Sequence, residues 1–416
     1  MFDMITVEEA IETILKEIRP LRVESADIIG ALGRVLGEDI RALRPNPPWD
    51  NSAMAGYAIV SEDTLGATDA NPVSLKVIYD LPAGSTPQGP VVKGTAVRIM
   101  TGAPMPDGAT AVIMVEKTAQ GADGSVIIRS EVKAGENVRR RGEDFNAGDT
   151  VIRKGSAVRP AEVSMLATVG VPFVPVYKRP RVAVLSTGDE LCEIEETPAP
   201  GKITNSNGYA LAALAAECGA EAVQLGIARD NRESLREKLA IAMKYDCIIS
   251  SGGVSVGDYD FVKDVLREMG SEMIFWKVAM KPGKPLAFGV IGGKPAFGLP
   301  GNPISSMVAF EQFVRPALLK MSGRTDIFRG TITATLTGDV KIKPGRMNFI
   351  RAELKRDKGG FHVAPLEGQG SGMISTMVRA NSYIVVPKDS AGFKKDSTVK
   401  VQPFDPSVLM EKEPGY

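Results

Sequence analysis

The sequence predicts a multidomain protein that combines an α/β domain with β-rich domains. With 416 residues the chain is longer than one hydrophobic core usually serves, and this length predicts about two to four domains. Strand-like and helix-like segments alternate between residues 181 and 321, which is typical of an α/β fold. Residues 50–175 and those beyond 324 instead carry short β-type runs broken by Gly, Pro and Asp, which predicts two β-rich regions.

The N-terminal segment is predicted to be helical. Thr6 and Glu9 have the spacing of a capping box, and apolar residues recur at helical spacing up to Ile18. A second helix is predicted from residue 25 to residue 36, before the proline-rich break at 44–48. Residues 159–170 also look helical, so the β-rich stretch between them is interpreted as an insertion into a mixed helical linker domain.

Residues 181–321 predict a doubly wound, three-layer α/β/α domain. The predicted strands are 182–185, 222–227 and 247–250, and the predicted helices are 209–217, 232–243, 261–269 and 304–321. Apolar strands joined by helices form a parallel sheet, whose ligands lie at the carboxyl ends of the strands. Beyond residue 324, runs such as 331–336 and 383–386 predict a small C-terminal β domain.

The overall composition excludes several classes of protein. Lysine plus arginine balance aspartate plus glutamate at 50 each, so no net field favours nucleic acid or an anionic membrane. The first residues do not resemble a signal peptide, and no apolar run approaches the roughly 18 residues of a membrane span. A cytoplasmic protein without nucleic-acid or membrane partners is therefore expected.

The numbers of cysteines and histidines limit the kinds of disulfide, metal site and catalytic site that the chain can form. The three cysteines are widely spaced and odd in number, which argues against a disulfide framework and a thiolate zinc site. The single histidine, His362, excludes an HExxH zinc site and leaves at most one candidate for a catalytic triad. We interpret the cysteines as buried small residues and His362 as a surface or packing residue. Chemistry should then rely on carboxylates, lysines, backbone amides and a hard metal.

Acidic side chains follow three of the predicted strands beside glycine-rich loops. The acids, which are the candidate metal ligands, are Asp189, Glu190, Asp230, Asp258 and Asp260. The loop residues, which are candidates for substrate binding, are Thr187, Gly188, Gly252, Gly253, Ser255 and Gly257. Such loops cradle phosphate, but nearby acids repel a bare phosphate, so a hard cation such as Mg²⁺ should bridge the carboxylates to the phosphate.

Four further segments carry polar residues that suit a ligand. Lys281 and Lys284 lie on a loop stiffened by two prolines, which suits point-charge contacts to a phosphate or a tetrahedral oxyanion. The turn Pro300, Gly301, Asn302 leads into the last helix, and the run Asp50, Asn51, Ser52 precedes small residues that permit close approach of a ligand. Three arginines at 139–141 precede two acids. These arginines form either an anion site or a surface salt-bridge cluster.

These stretches together resemble the molybdopterin molybdotransferases, the molybdenum-insertion enzymes that are similar to the E domain of gephyrin. The motifs that carry the resemblance occur in the family's order across nearly the whole chain. They are DNSAM-GYA, TGAP, GENVRRRGED, STGDEL, GGVSVGDYD, KPGKP and GLPGNP.

The resemblance implies a domain arrangement. It implies four domains: a linker domain of residues 1–44 and 145–177, an inserted β domain of 45–144, an α/β molybdopterin-binding domain of 178–325 and a β-barrel-like domain of 326–416. It also implies a homodimer in which the α/β domain of one subunit faces the β insertion of the other.

The resemblance further implies the reaction and its residues. Adenylylated molybdopterin and molybdate, or tungstate, would give molybdenum cofactor and AMP with Mg²⁺ present. Molybdopterin adenylyltransferase and molybdoenzyme maturation factors are possible partners. By motif position, the family's catalytic acids and lysines correspond to Asp144, Glu190, Asp230, Asp260, Lys281 and Lys284. Thr101, Arg351 and Ser371 correspond to other residues that line its site.

The sequence departs from the family pattern at Ala55, where the motif DNSAMDGYA has an aspartate, and more mildly at Thr110, where an acid is common. Two alternatives therefore stand beside the insertion enzyme. One is a weakly active or inactive paralogue that binds the pterin nucleotide as a scaffold. The other is a different enzyme with a related α/β domain, such as the adenylyltransferase or a nucleotide pyrophosphatase. The motif order along the whole chain favours the insertion enzyme.

Overall fold

The computed structural model describes residues 4–252, 265–410 and 413–414. The chain divides into two compact units. The first unit comprises Met1–Gly37, Ala157–Arg159 and Val174–Tyr416, and the second comprises Glu38–Ser156 and Pro160–Phe173. The four-domain boundaries given by the sequence stay a prediction. Among the described residues, every helix is too short or too polar to traverse a lipid bilayer.

The helices of the first unit include an N-terminal helix with the predicted cap. The Glu9 backbone N–H donates to Thr6 Oγ1 (3.2 Å), and the Thr6 N–H donates to Glu9 Oε2 (2.8 Å). Its buried face carries Ala10 and Ile14. The α-helices of this unit whose bounds lie within the described residues are Val7–Glu17, Ser206–Glu217, Arg232–Ala242, Pro303–Ala309, Arg315–Met321 and Ile374–Arg379, with a π-helical segment Phe310–Val314 between the fourth and fifth. The predicted helices at 209–217, 232–243 and 304–321 are thereby confirmed.

A six-stranded sheet forms the centre of the α/β part of the first unit. Its strands, in spatial order, are Glu221–Ala228, Arg181–Thr187, Cys247–Ser251, Lys294–Leu299, Pro285–Ile291 and Ser271–Lys277. The first four run parallel, and the last two form antiparallel pairs at one edge. The parallel part was predicted. The antiparallel edge was not, because a short apolar run carries no signal of strand direction.

Residues of each central strand alternate between two hydrophobic cores. Val182 and Val184 belong to a core that includes Leu211 of one helix, whereas Ala183 and Leu185 belong to a second core that includes Leu235 of another. Helices therefore cover both faces of the sheet. This arrangement confirms the predicted three-layer α/β/α fold class.

The C-terminal part of the first unit is a closed β-barrel of five strands. These strands are Ile332–Leu336, Met347–Asp357, Gly360–Pro365, Ser382–Val386 and Thr398–Pro403. The short strand Met280–Lys281 pairs in parallel with Met347 and Asn348 of the barrel. The lysine loop that follows Met280 therefore lies beside the barrel. The sequence pattern predicted a small C-terminal β domain and the resemblance implied a β-barrel-like one, and the closed barrel confirms both.

The second unit contains a six-stranded sheet with a core on each side. Its strands, in spatial order, are Ala111–Met114, Gly56–Ile59, Thr95–Ile99, Val73–Leu81, Ser125–Ile128 and Thr118–Gln120. Ile59 and Ile113 belong to one core, and Ala58 and Val112 belong to the other. Two smaller antiparallel pairs join Asn51–Ser52 to Val138–Arg139 and Ile40–Arg41 to Thr150–Ile152. The unit also holds the helix Pro160–Thr168.

The remaining regular elements are short. They are the strands Val23–Asp27, Phe173–Tyr177, Leu191–Cys192, Ile203–Thr204, Val340–Lys341 and Gly392–Phe393, and the 3-10 helices Ser61–Thr64, Val115–Lys117 and Pro406–Leu409.

The helix predicted over residues 25–36 is wrong. The strand Val23–Asp27 is followed there by a turn, since Asp27 Oδ1 accepts the backbone N–H groups of Ile29 and Gly30. Gly33 then adopts a positive φ of 77°, which ends any helical path. An aspartate side chain that binds nearby backbone N–H groups competes with helix formation. The helix predicted at 261–269 lies largely outside the described residues.

Candidate functional site

Two acidic loops meet at the carboxyl end of the parallel sheet. Asp230 Oδ2 accepts the Asp189 backbone N–H, and Asp189 Oδ1 accepts the Asp230 backbone N–H, each at 3.1 Å. The Gly188 N–H also donates to the Ala228 carbonyl (3.2 Å). Each carboxylate uses one oxygen in this reciprocal pair, which leaves one oxygen of each for another partner. The predicted meeting of Asp189 and Asp230 is confirmed.

Glycines beside these acids hold the loop in a shape that other residues cannot adopt. Gly188 has φ +143°, and a Cβ there would lie 2.3 Å from Glu190 Oε2. Gly252 has φ +87°, and a Cβ there would lie 2.5 Å from the Thr187 carbonyl oxygen. These glycines let the backbone turn while Glu190 and Thr187 stay close to it.

The floor of the site is a hydrogen-bonded set of small polar side chains. Ser186 Oγ donates to Asn205 Oδ1 (2.7 Å), and Asn207 Nδ2 donates to Ser251 Oγ (2.7 Å) and to the Gly301 carbonyl (2.8 Å). Thr187 Oγ1 is buried and has no hydrogen-bond partner within the described part of the chain. A buried hydroxyl without a partner is costly and indicates a place where a ligand or water binds.

These residues line a pocket of about 380 Å³ that we call the acidic-edge pocket. Its lining includes Thr187, Glu190, Asn205, Asn207, Gly252 and Gly301. Asn302 occupies the N-cap position of the helix that begins at Pro303, without a side-chain capping hydrogen bond. The pocket therefore lies between the ends of parallel strands and the start of a helix, where α/β proteins bind their ligands.

A second pocket, of about 1170 Å³, lies between the lysine loop and the barrel, and we call it the cationic pocket. Lys281 and Lys284 contribute to it from the loop. Lys341, on the short strand Val340–Lys341, and Arg346, just before the barrel strand Met347–Asp357, contribute from the C-terminal part. None of its described lining residues is acidic. Ser305 and Ser371 also line it, so the predicted residues Lys281, Lys284 and Ser371 do come together. Such a surface suits a multiply charged anion.

The two pockets are separated by the first turn of a helix. Pro303 lines the acidic-edge pocket, whereas Ser305 lines the cationic pocket. The Ile304 backbone N–H between them donates to the Ser371 carbonyl (3.1 Å). A ligand with an anionic end and a metal-binding end could therefore reach both pockets across one helical turn.

Arg351 lies behind the cationic pocket and is only 1 % exposed. Its guanidinium donates to the carbonyls of Gly368 (2.8 Å) and Gly370 (3.1 Å), next to Ser371. Within the described residues no carboxylate pairs with it, and burial lowers the pKa of Arg351. In this structure Arg351 therefore holds the loop that lines the pocket, and its role in direct substrate contact stays a prediction.

The second unit holds the remaining predicted residues. Asp50 accepts the Arg141 backbone N–H (2.8 Å) and the Arg140 guanidinium (2.6 Å). The Arg141 N–H, followed by Arg140, lowers the pKa of Asp50. Of the two alternatives for the arginine cluster, Arg140 thus forms a salt bridge, whereas Arg139 lines a separate open pocket.

That open pocket has a volume of about 1060 Å³, and we call it the Trp49 pocket. Asn51 and Asp144 line it, and Asp144 Oδ2 accepts the Asn46 Nδ2 hydrogen (3.1 Å). Ser52 is fully buried, and its hydroxyl donates to the Met54 carbonyl (2.6 Å). Gly102 of the TGAP motif also lines the pocket, whereas Thr101 is exposed beside it in sequence.

The two positions that depart from the family pattern have defined surroundings. Ala55 is half-buried, and its carbonyl accepts the Val115 N–H (3.2 Å). Thr110 Oγ1 donates to Ser61 Oγ and accepts the Ser61 N–H, each at 2.8 Å. Thr110 therefore stabilises the second unit.

The described residues contain no group of three or more His, Cys, Asp or Glu side chains arranged around a metal. Gly253, Ser255, Gly257, Asp258 and Asp260, which the sequence places at the third strand end, lie outside the described residues. Cys192 and Cys247 are buried, and burial raises the pKa of the Cys218 thiol to about 12. His362 Nε2 lies 3.2 Å from Asp357 Oδ1 in a partly exposed pair. None of these four residues lines the three pockets above.

Sequence reasoning missed several residues that the structure brings to these pockets. Asn207 lies within a helix and Trp49 in a proline-rich break, so neither belongs to a recognisable chemical motif. Lys341 and Arg346 come from the KIKPGRM stretch. Three cations within six residues around a Pro-Gly turn would have been a usable signal.

Comparisons with known proteins agree along the whole chain. A family profile described as "MoeA N-terminal region (domain I and II)" matches residues 5–170. A profile described as "Probable molybdopterin binding domain" matches residues 183–320, and one described as "MoeA C-terminal region (domain IV)" matches residues 333–404. The three matches follow each other without overlap and cover most of the chain.

Full-length relatives are similar in sequence and in structure. The molybdopterin molybdenumtransferase of Staphylococcus epidermidis is 37% identical over 401 residues, with 95% of each chain covered. That of Staphylococcus aureus is 37% identical over 398 residues, again with 95% of each chain covered. The crystal structure of a molybdopterin biosynthesis moeA protein from Pyrococcus horikoshii superposes with a TM-score of 0.83 at 32% identity, covering 97% of this chain and 100% of that one.

Proposed function

Because the chain belongs to the molybdopterin molybdenumtransferase family, a transferase family of molybdenum cofactor biosynthesis, we propose that it inserts molybdate, or tungstate, into adenylylated molybdopterin and releases AMP. One structural observation carries the proposal. An acidic-edge pocket and a cationic pocket lie on opposite sides of one helical turn. The reaction brings an adenylylated pterin and an oxyanion together and releases AMP, so it needs these two kinds of surface close together.

The cationic pocket is the site proposed for the oxyanion. Lys281 and Lys284 attract a tetrahedral dianion as point charges, while Ser371 offers a hydroxyl. Molybdate and tungstate are both dianions of this shape, so the same contacts serve either. Arg351 positions the loop of Ser371 through the Gly368 and Gly370 carbonyls.

The acidic-edge pocket is the site proposed for the phosphate of the nucleotide and for Mg²⁺. Thr187 Oγ1 and the glycine-rich backbone can donate to phosphate oxygens, and Glu190 is the acidic residue of the described lining. Asp189 and Asp230, on the adjoining loops, each keep one carboxylate oxygen for a cation. Mg²⁺ in proteins takes one or two carboxylates together with substrate phosphates, so this pair fits. When bound, Mg²⁺ neutralises phosphate charge and polarises the bond to AMP.

AMP release from adenylylated molybdopterin tests the proposal directly. Release is measured with molybdate, with tungstate and with neither oxyanion, each with and without Mg²⁺. We expect release that requires an oxyanion and Mg²⁺. Release that is independent of both oxyanions would support a pyrophosphatase instead, and binding without release would support the scaffold alternative. The relatives do not favour the scaffold alternative, because each is named as a transferase.

A homodimer with shared sites is part of the proposal. The predicted residues fall in both compact units, with Thr101 and Asp144 in the second and Lys281 in the first. A mixture of a Thr101→Ala chain and a Lys281→Ala chain, each inactive alone, should regain part of the activity. Heterodimers confirmed by mass spectrometry but without activity would show that each site belongs to one chain. A cytoplasmic location and a supply of substrate by molybdopterin adenylyltransferase complete the proposal, and molybdoenzyme maturation factors would receive the product.

Ala55 should lower the rate of insertion rather than abolish it. The loop around it keeps its shape through the Val115 hydrogen bond and through Gly56, where a Cβ would lie 1.9 Å from the Ile113 carbonyl oxygen. We expect Ala55→Asp to raise turnover about tenfold or more, because a positioned acid typically contributes about 10²- to 10⁴-fold. Ala55→Asn is the control without charge. A lower rate in Ala55→Asp would mean that the site is adapted to the missing carboxylate.

A further inference from the structure

The Trp49 pocket contains an exposed aromatic ring within a concave surface. Trp49 is 52 % exposed, although a tryptophan usually buries most of its large surface. A flat ring of a ligand can stack on such an indole, and stacking on an aromatic side chain is favourable for any heterocycle. The exposed Trp49 side chain is therefore available to a planar ligand in this pocket.

Asn51 adds a hydrogen-bond acceptor that lacks a donor. Its side chain is only 7 % exposed, and its Oδ1 is buried without a hydrogen-bond partner in the described part of the chain. Its backbone is held in the strand pair with Arg139. A buried acceptor that keeps no protein partner indicates that a ligand donor belongs there.

Two carboxylates add further acceptors to this pocket. Asp144 uses Oδ2 for Asn46, which leaves Oδ1 as an acceptor, and Glu143 uses one oxygen for the Arg140 N–H. Arg139 lines the same pocket and suits an anionic part of the ligand beyond the ring. A ring that fits should therefore present adjacent N–H donors on one edge.

We propose that the Trp49 pocket binds the pterin ring of the substrate, with Trp49 against its face and with Asn51 and Asp144 accepting from its donor edge. A 2-amino-4-oxopteridine has an N3–H and a 2-amino group side by side, and these two donors match two separate acceptors, Asp144 Oδ1 and Asn51 Oδ1. Adenine presents one amino group flanked by acceptors, so its edge lacks the two adjacent donors that Asn51 and Asp144 would accept. The inference rests on the proposed function for the identity of the substrate, and it adds the ring subsite.

Tryptophan fluorescence can test the stacking, because the chain has only two tryptophans and Trp276 is buried at 6 % exposure. The full-length Trp276→Phe variant, in which Trp49 is the sole tryptophan, is titrated with free 6-hydroxymethylpterin without oxyanion. We expect saturable quenching, corrected for absorption by the pterin. Trp49→Phe should show no saturable quenching of the remaining Trp276. Absence of saturation in the Trp276→Phe protein would overturn the proposal.

Calorimetric titration of the same pterin tests the contacts without relying on fluorescence or on Trp276 variants. Trp49→Ala should weaken binding about tenfold or more, and Asp144→Asn should weaken it similarly. Phe173→Ala is the matched control, because Phe173 is another exposed aromatic residue, at 63 %, and does not line the pocket. Equal affinity in Trp49→Ala and Phe173→Ala would refute the assignment.

Titration with AMP separates the two rings of the substrate. Saturable quenching of Trp49 by AMP, with none by the pterin, would assign the pocket to adenine and overturn the proposal. Because these titrations involve no turnover, they are independent of the AMP-release assay. Pterin binding without oxyanion-dependent AMP release would support this inference and refute the proposed reaction. Oxyanion-dependent AMP release without pterin binding at Trp49 would support the reaction and refute this inference.

Discussion

The acidic-edge pocket and the cationic pocket belong to the same unit but differ in how charge is held. At the acidic edge, Asp189 and Asp230 bind each other's backbone N–H groups, so the carboxylates are fixed by main chain. In the cationic pocket, Lys281, Lys284 and Lys341 are exposed, with Arg351 buried behind them. The acidic edge therefore holds its carboxylates at fixed positions, whereas the cationic pocket surrounds a ligand with positive charges that are not held by such contacts.

This difference matches the two parts of the proposed reaction. A hard cation between carboxylates and phosphate needs fixed ligands, since Mg²⁺ requires near-ideal octahedral geometry. A tetrahedral oxyanion that must enter and then react is better served by attraction without tight coordination. In a chain with 50 basic and 50 acidic residues, the separation of charge is local and cannot be read from the net charge.

The largest expected effect is on the acidic edge. Asp230→Asn keeps an oxygen that can accept the Asp189 N–H but removes one negative charge. We expect AMP release to fall about 10²- to 10⁴-fold, equivalent to about 3–5 kcal/mol, because a positioned catalytic group is lost. The melting temperature should stay the same or rise, since two nearby carboxylates no longer repel each other.

Asp246→Asn is the matched control for this prediction. Asp246 Oδ2 also accepts a backbone N–H, that of Arg181 (2.9 Å). Arg181 begins the strand that leads to Asp189, so this contact lies at the amino end of that strand, away from the acidic edge. Substitution of Asp246 should leave AMP release unchanged. Equal losses in both variants would mean that Asp230 acts through the sheet and not at the site.

The acidic edge was easier to predict from the sequence than the cationic pocket. Strand ends of a parallel sheet converge by topology, so STGDEL and the Arg229-Asp230 loop could be brought together from the order of strands alone. The turn after Asp27 could not be predicted in this way, because apolar spacing favoured a helix and a single side chain decided against it. The antiparallel edge of the sheet was likewise hidden in short apolar runs.

Arg351→Met tests whether the cationic pocket depends on one buried cation. Loss of the guanidinium leaves the Gly368 and Gly370 carbonyls without their donor, while removing a buried charge that has no acid beside it in the described structure. We expect a loss of about 1–3 kcal/mol in the free energy of unfolding, together with weaker oxyanion binding. Chemical denaturation and a molybdate titration measure the two effects.

The exposed Arg356, on the same strand, gives the control Arg356→Met, which should change the free energy of unfolding by less than about 0.5 kcal/mol. If Arg351→Met loses stability but binds molybdate as tightly as the wild type, the loop does not depend on Arg351 for its shape at the pocket.

Substitution of Lys341 and Arg346 is expected to have a smaller effect on catalysis than the changes above. The double variant Lys341→Ala, Arg346→Ala removes two cations from the pocket and leaves the loop lysines in place. We expect the KM for molybdate to rise about tenfold, near 1.4 kcal/mol, with little change in kcat, because each screened charge contributes about 1 kcal/mol or less. The dependence of kcat/KM on ionic strength should also become weaker.

Lys355→Ala, Lys358→Ala is the matched double variant, with two exposed lysines on the same barrel outside the pocket. If both double variants change KM equally, the change is caused by the net charge of the whole protein and not by the cationic pocket. Lys341 and Arg346 were not selected from the sequence. Their cation cluster was visible there, but its position beside the lysine loop depends on the pairing of Met280–Lys281 with Met347 and Asn348.

The smallest expected effect concerns Asp50, an acid that already has a cation. The Arg141 N–H and the Arg140 guanidinium lower the pKa of Asp50, so the charged form is favoured in the folded state. A lowered folded-state pKa contributes stability above the unfolded value of about 3.9, and this contribution disappears as the pH falls through the folded value.

Asp50→Asn should therefore cost up to about 1 kcal/mol at neutral pH, because the pair is partly exposed and screened by solvent. The difference from the wild type, measured by urea unfolding at several pH values, should shrink below about pH 4. Asp69→Asn, at another exposed aspartate of the same unit, is the control. A difference that persists at acid pH would show that Asp50 acts through its hydrogen bonds rather than its charge, unlike the acids at the sheet edge.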